Sequence, residues 1–446
     1  MPAPDASALA RLRAELAGSP ALLWALLYFF CLLCGYYVLR PVREAMGASA
    51  DVLAVFPQGL IDWAAARGWA LKDFTLQILF TGTFIAMLVL QPLYGVLVSR
   101  FPRRVFLPAV YGLFIACLGG FWWAFEQQLP GRGALFFIWV AVFNLFAVSV
   151  FWSYMADVFD NEQAKRVYGF IGAGGTIGAL TGPAITNFLV GIIGVGNLLL
   201  VSIGFLLACL FCIMQLRPYA LQRERQQGQG QAGKAMGGSV WAGMRLVASD
   251  PLLRALALLM FFGVGVGTLL YNEQAAIVRA AYPDASDATR FYSRIDWAIN
   301  GLTLLLQLFL TRWLLRRHGI TPALLIPGFA ILAGYSLLAM SPMPLFVALA
   351  QIVTRAGEFA LAKPARETLY TRVSRESRYK AKAFIDTAVY RGGDLGFVWL
   401  HKWLAMFGSR MVFVAGIGIT VAMLLSARQV IRHQKWLAKA SLMQHG

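Results

Sequence analysis

Apolar residues in this chain fall into long, nearly uninterrupted runs separated by short polar stretches. Twelve runs stand out, at roughly 21–45, 73–98, 105–125, 134–156, 167–193, 196–216, 251–275, 291–311, 321–341, 343–364, 381–405 and 408–430. A helix needs about 20 mostly apolar residues to cross about 30 Å of hydrocarbon, and each run approaches or exceeds that length. The runs do not alternate apolar with polar residues in short segments, as the strands of a lipid-facing barrel do. Glycine and proline recur inside them, which membrane helices tolerate. The pattern predicts an all-α membrane protein with twelve transmembrane helices.

Composition agrees. Of 446 residues, 59% are hydrophobic and 13% charged, against about 25% charged in soluble domains. A soluble globule cannot hide that much apolar side chain, and a disordered chain would not contain it. Five cysteines are too few, and odd in number, for a disulfide scaffold. The net charge of +18 would suggest nucleic acid in a soluble protein. Its placement suggests otherwise. With the N-terminus in the cytoplasm, 25 of the 39 Lys and Arg residues flank the inner ends of the spans and 8 the outer ends. That bias orients a membrane protein. Both termini are therefore expected on the cytoplasmic side, with the bilayer and not nucleic acid as partner. Residues 1–20 hold no apolar core of a signal peptide, so no leader is expected.

The stretch 217–245 is polar and rich in Gln and Gly, and it is expected to be a flexible cytoplasmic linker between six-helix bundles at 1–216 and 246–446. The halves repeat faintly. At an offset of 214, Glu162, Phe170, Ile171, Gly178 and Gly182 match Glu376, Phe384, Ile385, Gly392 and Gly396. Two parallel six-helix repeats are the organisation of major facilitator transporters. The stretch Gly95-Val96-Leu97-Val98-Ser99-Arg100-Phe101-Pro102-Arg103-Arg104 resembles that superfamily's 2–3 loop motif, with Ser99 in place of Asp and Pro102 in place of Gly. Arg100, Arg103, Arg104, Lys165 and Arg166 are candidate gating-loop residues; simple positive-inside anchoring is the alternative.

An ionisable residue at membrane depth costs at least about 2.5–3.5 kcal/mol and needs a partner or a polar cavity. Four groups stand out. Span 1 carries Arg40, Arg43 and Glu44 around Pro41, which is expected to break the helix. Span 7 carries Tyr271, Asn272, Glu273 and Arg279, leading to Arg294 and Asp296 in span 8. Span 10 carries Arg355, Glu358, Lys363 and Arg366; span 11 carries Asp386, Arg391 and Asp394, with Arg391 expected to pair with Asp394 three residues on. Interhelical ion pairs at span mouths are the plainer reading, and are expected for Arg290, Lys402 and Arg410. For the four groups a central cavity is expected, because in a two-bundle transporter spans 1, 4, 7 and 10 line the path, with 2, 5, 8 and 11 beside them. Basic residues outnumber acidic ones there, and spare guanidinium groups suit an anionic substrate. The expected substrate-binding set is Arg40, Arg43, Glu44, Asn272, Glu273, Arg279, Arg355, Glu358, Lys363, Asp386, Arg391 and Asp394.

Other apparent motifs carry less. Gly172-Ala173-Gly174-Gly175-Thr176-Ile177-Gly178 lacks the Gly-Lys-Ser/Thr of a phosphate loop. The spacing of Gly174, Gly178 and Gly182 is that of closely packed membrane helices. Cys31, Cys34, Cys209 and Cys212 are expected to be packing thiols. His318, His401, His433 and His445 fall near span ends or in tails, so neither a histidine proton relay nor a metal site is expected. No cofactor is implied, and no Ser-His-Asp set suggests an enzyme.

Four stretches carry a family likeness. They are Tyr37-Val38-Leu39-Arg40 with Arg43-Glu44; Phe151-Trp152-Ser153 through Glu162-Gln163-Ala164-Lys165-Arg166-Val167-Tyr168 to Gly172 and Gly174; Tyr282-Pro283; and Lys380-Ala381-Lys382-Ala383-Phe384-Ile385-Asp386. Together they resemble the non-mitochondrial ATP/ADP translocase family of plastids and intracellular bacteria, including its homologues in free-living bacteria. The nucleotide carriers usually have Lys-Asp where Arg43-Glu44 stands, a charge-conserving exchange. Pro41, Pro364-Ala365-Arg366-Glu367 and Tyr390-Arg391-Gly392-Gly393-Asp394 look more like the free-living homologues. The resemblance implies a monomeric secondary transporter that exchanges a nucleotide or related phosphorylated anion by alternating access. In an exchanger, Glu44 and Glu273 would pair with Arg43 and Arg279. The alternatives are a proton-coupled carrier or flippase for another anionic amphiphile and, from a different class, a membrane sensor or scaffold.

Overall fold

The computed structural model describes residues 20–100, 103–227, 240–370, 381–382 and 384–445. Among the described residues every regular element is helical. In chain order they are α1 (Pro20–Gly47), α2 (Val52–Val55), α3 (Gln58–Ala65), α4 (Thr75–Arg100), α5 (Arg103–Glu126), α6 (Arg132–Val158), α7 (Asn161–Gln227), α8 (Val240–Ser249), α9 (Pro251–Ala281), α10 (Ala285–Leu305), α11 (Arg312–His318), α12 (Ile320–Met340), α13 (Pro344–Gly357), α14 (Lys363–Tyr370), α15 (Tyr390–Ala405) and α16 (Ser409–His445). Three π-helical turns join some of them: Leu306–Thr311, Glu358–Ala362 and Ile385–Val389.

Among the described residues, ten helical stretches are long and apolar enough to cross a membrane. They cover eleven of the twelve expected segments, because the 58-residue stretch Arg166–Arg223 contains two of them. Those two meet at Gly194, whose φ of 76° and ψ of 171° suit a residue without a side chain. The remaining segment, 381–405, is the π turn Ile385–Val389 followed by the 16-residue α15. The expected linker is shorter than 217–245, since α7 runs on to Gln227 and α8 begins at Val240. The expected break at Pro41 is absent: α1 continues to Gly47. Proline removes one backbone hydrogen bond, and close packing by a neighbouring helix lets a membrane helix run through.

The chain forms two compact units. The first comprises 1–73, 85–234 and 284–297; the second comprises 74–84, 235–283 and 298–446. The first unit is built on the pairing of α1 with α7. A Cβ added at Gly174 would lie 2.8 Å from the carbonyl oxygen of Leu26, and one at Gly182 2.7 Å from that of Cys34. Only glycine permits this approach of backbones, which maximises dispersion contacts where lipid removes the hydrophobic drive between helices. Polar side chains add cross-links: Ser202 Oγ donates to the Gly35 carbonyl (3.0 Å), Thr186 Oγ1 to that of Val38 (3.2 Å), and Tyr28 to the hydroxyl of Tyr111 (2.7 Å). Cys31, Cys34, Cys209 and Cys212 are buried in this interface as free thiols.

The second unit packs α9 against α16 and α15, and α12 against α16, around buried Leu256, Leu270, Tyr335 and Phe413. Its π turns interlock. A π turn widens the helix and frees carbonyls from their usual donors. Here Thr311 Oγ1 donates to the Ala360 carbonyl (2.8 Å) and Gln307 Nε2 to that of Phe359 (3.3 Å), so side chains of one turn satisfy carbonyls of the other.

Candidate functional site

The polar groups expected at membrane depth form a cluster in each unit. In the first unit, α1 places Arg40 and Glu44 one turn apart on one face, with Arg43 beside them. Arg40 Nη1 donates to Asp296 Oδ1 of α10 at 2.8 Å, and its Nε lies 3.7 Å from Glu44 Oε1. Arg43 Nη2 donates to the same Glu44 oxygen at 2.6 Å. The side chains of Glu44 and Asp296 are only 4% and 5% exposed. Aromatic faces complete the cradle: the Arg43 guanidinium stacks 4.9 Å from the Phe137 ring centre, and that of Arg40 lies 5.7 Å from Tyr37. Arg294, also on α10, donates to Asn187 Oδ1 at 3.1 Å. The expectation of spare guanidinium groups on span 1 is thus revised: two guanidiniums face two carboxylates. A charged group without water is stabilised only by such a partner, which is why Arg40 reaches across to Asp296.

In the second unit, Glu273 Oε1 lies 2.8 Å from His401 Nε2, and both residues are buried. The expected Glu273–Arg279 pair is therefore replaced by a carboxylate–imidazole pair that joins α9 to α15. Sequence reading passed over His401 because it sits near the end of its span; its partner is distant in the chain. The second expected pair also fails to form. Asp394 accepts a hydrogen bond from Thr268 Oγ1 at 2.6 Å, and among the described residues no ion pair joins it to Arg391. The Arg391 guanidinium lies instead 5.5 Å from the Tyr390 ring centre. Asn272 Nδ2 donates to the Thr268 carbonyl at 2.8 Å, continuing this polar row along α9.

Span 10 contributes a further set. The π turn Glu358–Ala362 brings Glu358 opposite Arg366, whose guanidinium forks onto both carboxylate oxygens. Arg355 and Arg391 both act electrostatically on Tyr390 and Asp394, so spans 10 and 11 share one charged neighbourhood. Arg355, Lys363 and Arg391 have no ion pair among the described residues. Asp386 is exposed, and near it Lys382 Nζ contacts Glu367 at 2.7 Å. Seven buried side-chain polar atoms of this unit have no hydrogen-bond partner among the described residues: Thr83 Oγ1, Asn272 Oδ1, Glu273 Oε2, Gln274 Nε2, Thr303 Oγ1, Gln351 Oε1 and His401 Nδ1. Each such group costs about 1–3 kcal/mol in a packed interior.

The candidate gating side chains Arg100, Arg103, Arg104 and Lys165 lie outside the described residues, and Arg166 is exposed. Among the described residues no group of His, Cys, Asp and Glu is arranged to hold a metal ion. Arg290 faces Asp287 at 3.7 Å, and Lys402 lies 4.3 Å from the Phe74 ring centre.

A sequence profile of the Major Facilitator Superfamily matches residues 54–277, half of the chain. The chain belongs to the major facilitator superfamily. It is a multi-pass membrane transporter. Its relatives include "ADP,ATP carrier protein 2, chloroplastic" of Arabidopsis thaliana, 21% identical over 94% of this chain and 73% of the relative. "ADP,ATP carrier protein 1" of Chlamydia trachomatis is 22% identical over 83% of this chain and 79% of the relative. Solved structures share the superfamily fold. A bacterial homologue of the iron transporter ferroportin, in an inward-facing state, superposes with a TM-score of 0.62 at 12% identity, covering 93% of this chain and 98% of that one. The nucleoside transporter NupG gives 0.60 at 15% identity, covering 92% and 99%.

Proposed function

We propose that this superfamily member exchanges a nucleotide or related phosphorylated anion across the bacterial inner membrane by alternating access. Both termini lie in the cytoplasm, and the carrier acts as a monomer without cofactor or nucleic acid. The observation that carries the reading is the set Arg355, Lys363 and Arg391 on spans 10 and 11, three cations without an ion pair among the described residues. Guanidinium groups grip phosphate oxygens in a bidentate fork, and an ammonium adds a point charge. The names of the curated relatives in plastids and Chlamydia support a nucleotide. Glu358 and Asp394 position the neighbouring groups: the first fixes Arg366, and the second is held by Thr268. Of the other members of the expected binding set, Arg40, Arg43 and Glu44 serve as a structural ion-pair cluster whose opening can accompany the transport cycle.

The test is uptake of a labelled nucleotide panel into proteoliposomes with and without internal nucleotide. Exchange requires uptake only when nucleotide is trapped inside, and uptake that proceeds equally into empty vesicles would refute it.

One observation favours a second reading, proton-coupled uptake. Glu273 and His401 share one hydrogen bond in a buried site, and each has a further polar atom without a partner, Oε2 and Nδ1. Such a pair can hold or release a proton. A pH-sensitive dye trapped in the vesicles separates the readings: substrate-driven acidification that Glu273→Gln abolishes means symport, and a constant pH means exchange.

A further inference from the structure

Where span 8 ends, two columns of side chains run side by side at helical i, i+4, i+8 spacing: Leu308, Arg312 and Arg316 in one, Phe309, Trp313 and Arg317 in the other. These six residues line an open cavity of about 400 Å³. Its deeper wall is apolar and turned outward: Leu308 is 63% exposed, Phe309 74% and Trp313 48%. The π turn Leu306–Thr311 shapes this wall, and α11 supplies the three exposed guanidiniums at its mouth. Arg312, Arg316 and Arg317 have no ion-pair or hydrogen-bond partner among the described residues. The apolar wall lies inside the candidate span Ala285–His318, so its surroundings are acyl chains, while the arginines stand at the inner interface by the positive-inside bias.

We propose that this cavity is a binding site for one anionic phospholipid, with its phosphate on Arg312, Arg316 and Arg317 and its acyl chains along Leu308, Phe309 and Trp313. The pairing of a guanidinium cluster with an apolar wall selects a ligand that has both parts. A soluble phosphate would leave Leu308 and Phe309 unused. A zwitterionic lipid carries its own ammonium, which would oppose the arginines. Trp313 sits between the two zones, the level that indole rings prefer at a membrane interface. The site is distinct from the charged groups of spans 10 and 11, and it holds whether the carrier exchanges anions or moves protons.

The experiment uses the purified full chain in detergent. Phosphatidylglycerol, phosphatidylcholine and soluble glycerol phosphate are added separately, with native mass spectrometry and thermal unfolding as readouts. Phosphatidylglycerol is expected to stay bound and raise the unfolding temperature, while the other two leave it unchanged. A basic residue near an anionic surface contributes enough that each guanidinium removed should weaken retention about fivefold, and all three roughly 100-fold. Arg316→Gln and Arg317→Gln as single variants give that answer even where the triple variant does not fold. Arg432→Gln, at an exposed position of α16, is the control for general basic attraction. Equal retention of phosphatidylcholine, equal stabilisation by glycerol phosphate, or a loss in Arg432→Gln matching that in Arg316→Gln would each overturn the site.

Discussion

The fifth span of each half makes the sharpest contrast within this molecule. Gly178 and Gly182 match Gly392 and Gly396 in the internal repeat. In the first unit those glycines are pressed against the backbone of α1, with a Cβ at Gly182 only 2.7 Å from the Cys34 carbonyl oxygen. In the second unit, a Cβ at Gly392 or Gly396 would meet nothing within 4 Å. The same contrast runs through the charges. Arg40 and Arg43 are closed by Glu44 and Asp296, whereas Arg355, Lys363 and Arg391 form no ion pair among the described residues. It runs through the backbone too, since the three π turns among the described residues belong to the second unit. The repeated glycines are tightly packed in one half and open in the other. On the proposed reading, the open half is where the anion binds.

The comparison breaks or sharpens most under loss of Arg40. Arg40→Ala should lower stability by about 3–5 kcal/mol, because it takes from buried Asp296 the guanidinium at 2.8 Å and from buried Glu44 one of its two. Thermal unfolding in detergent measures this, and Arg40→Ala with Asp296→Ala should recover a large part; a purely additive double variant would show that the pair is not coupled. Next come the glycines. Gly178→Ala and Gly182→Ala should each cost about 1–3 kcal/mol through overpacking. Gly392→Ala and Gly396→Ala should be neutral or gain up to about 1 kcal/mol from helix propensity. Equal effects in the two halves would erase the contrast.

A smaller change tests the π turns. Thr311→Val removes the donor that Ala360 relies on and should cost about 1 kcal/mol. An unchanged unfolding temperature would mean that the interlock between the turns contributes no stability. The smallest structural effect belongs to the open cations. Arg355→Ala and Arg391→Ala should shift stability by no more than about 0.5 kcal/mol, as for substitutions without a paired partner, yet reduce labelled-anion uptake at least tenfold. Wild-type uptake in both would move the binding site elsewhere.

The spans were legible in the sequence because length and apolar content are local properties, and so was the glycine stripe of α7. Pairing across helices was not. The sequence places Glu273 near Arg279 and Arg391 near Asp394, but His401 and Thr268 meet those carboxylates through packing between α9 and α15, which spacing along one helix does not encode. Arg40 finds Asp296 in the same way, across more than 250 residues of chain. Pro41 misled for a related reason: its usual helix-breaking effect is outweighed by the neighbours that pack on α1. The π turns left no composition signal, because the donors that satisfy their freed carbonyls, Thr311 and Gln307, act on a different helix.

Gly194 has a consequence for how the protein is made. One residue at φ 76° is all that separates two membrane segments in the stretch Arg166–Arg223. The two segments must therefore enter the bilayer as a single hairpin, since there is no loop to be threaded first and no slack for the second to lag behind. The same economy leaves little handle there for a protease, an antibody or an inserted tag, whereas the connection around α2 and α3 is long enough to carry one.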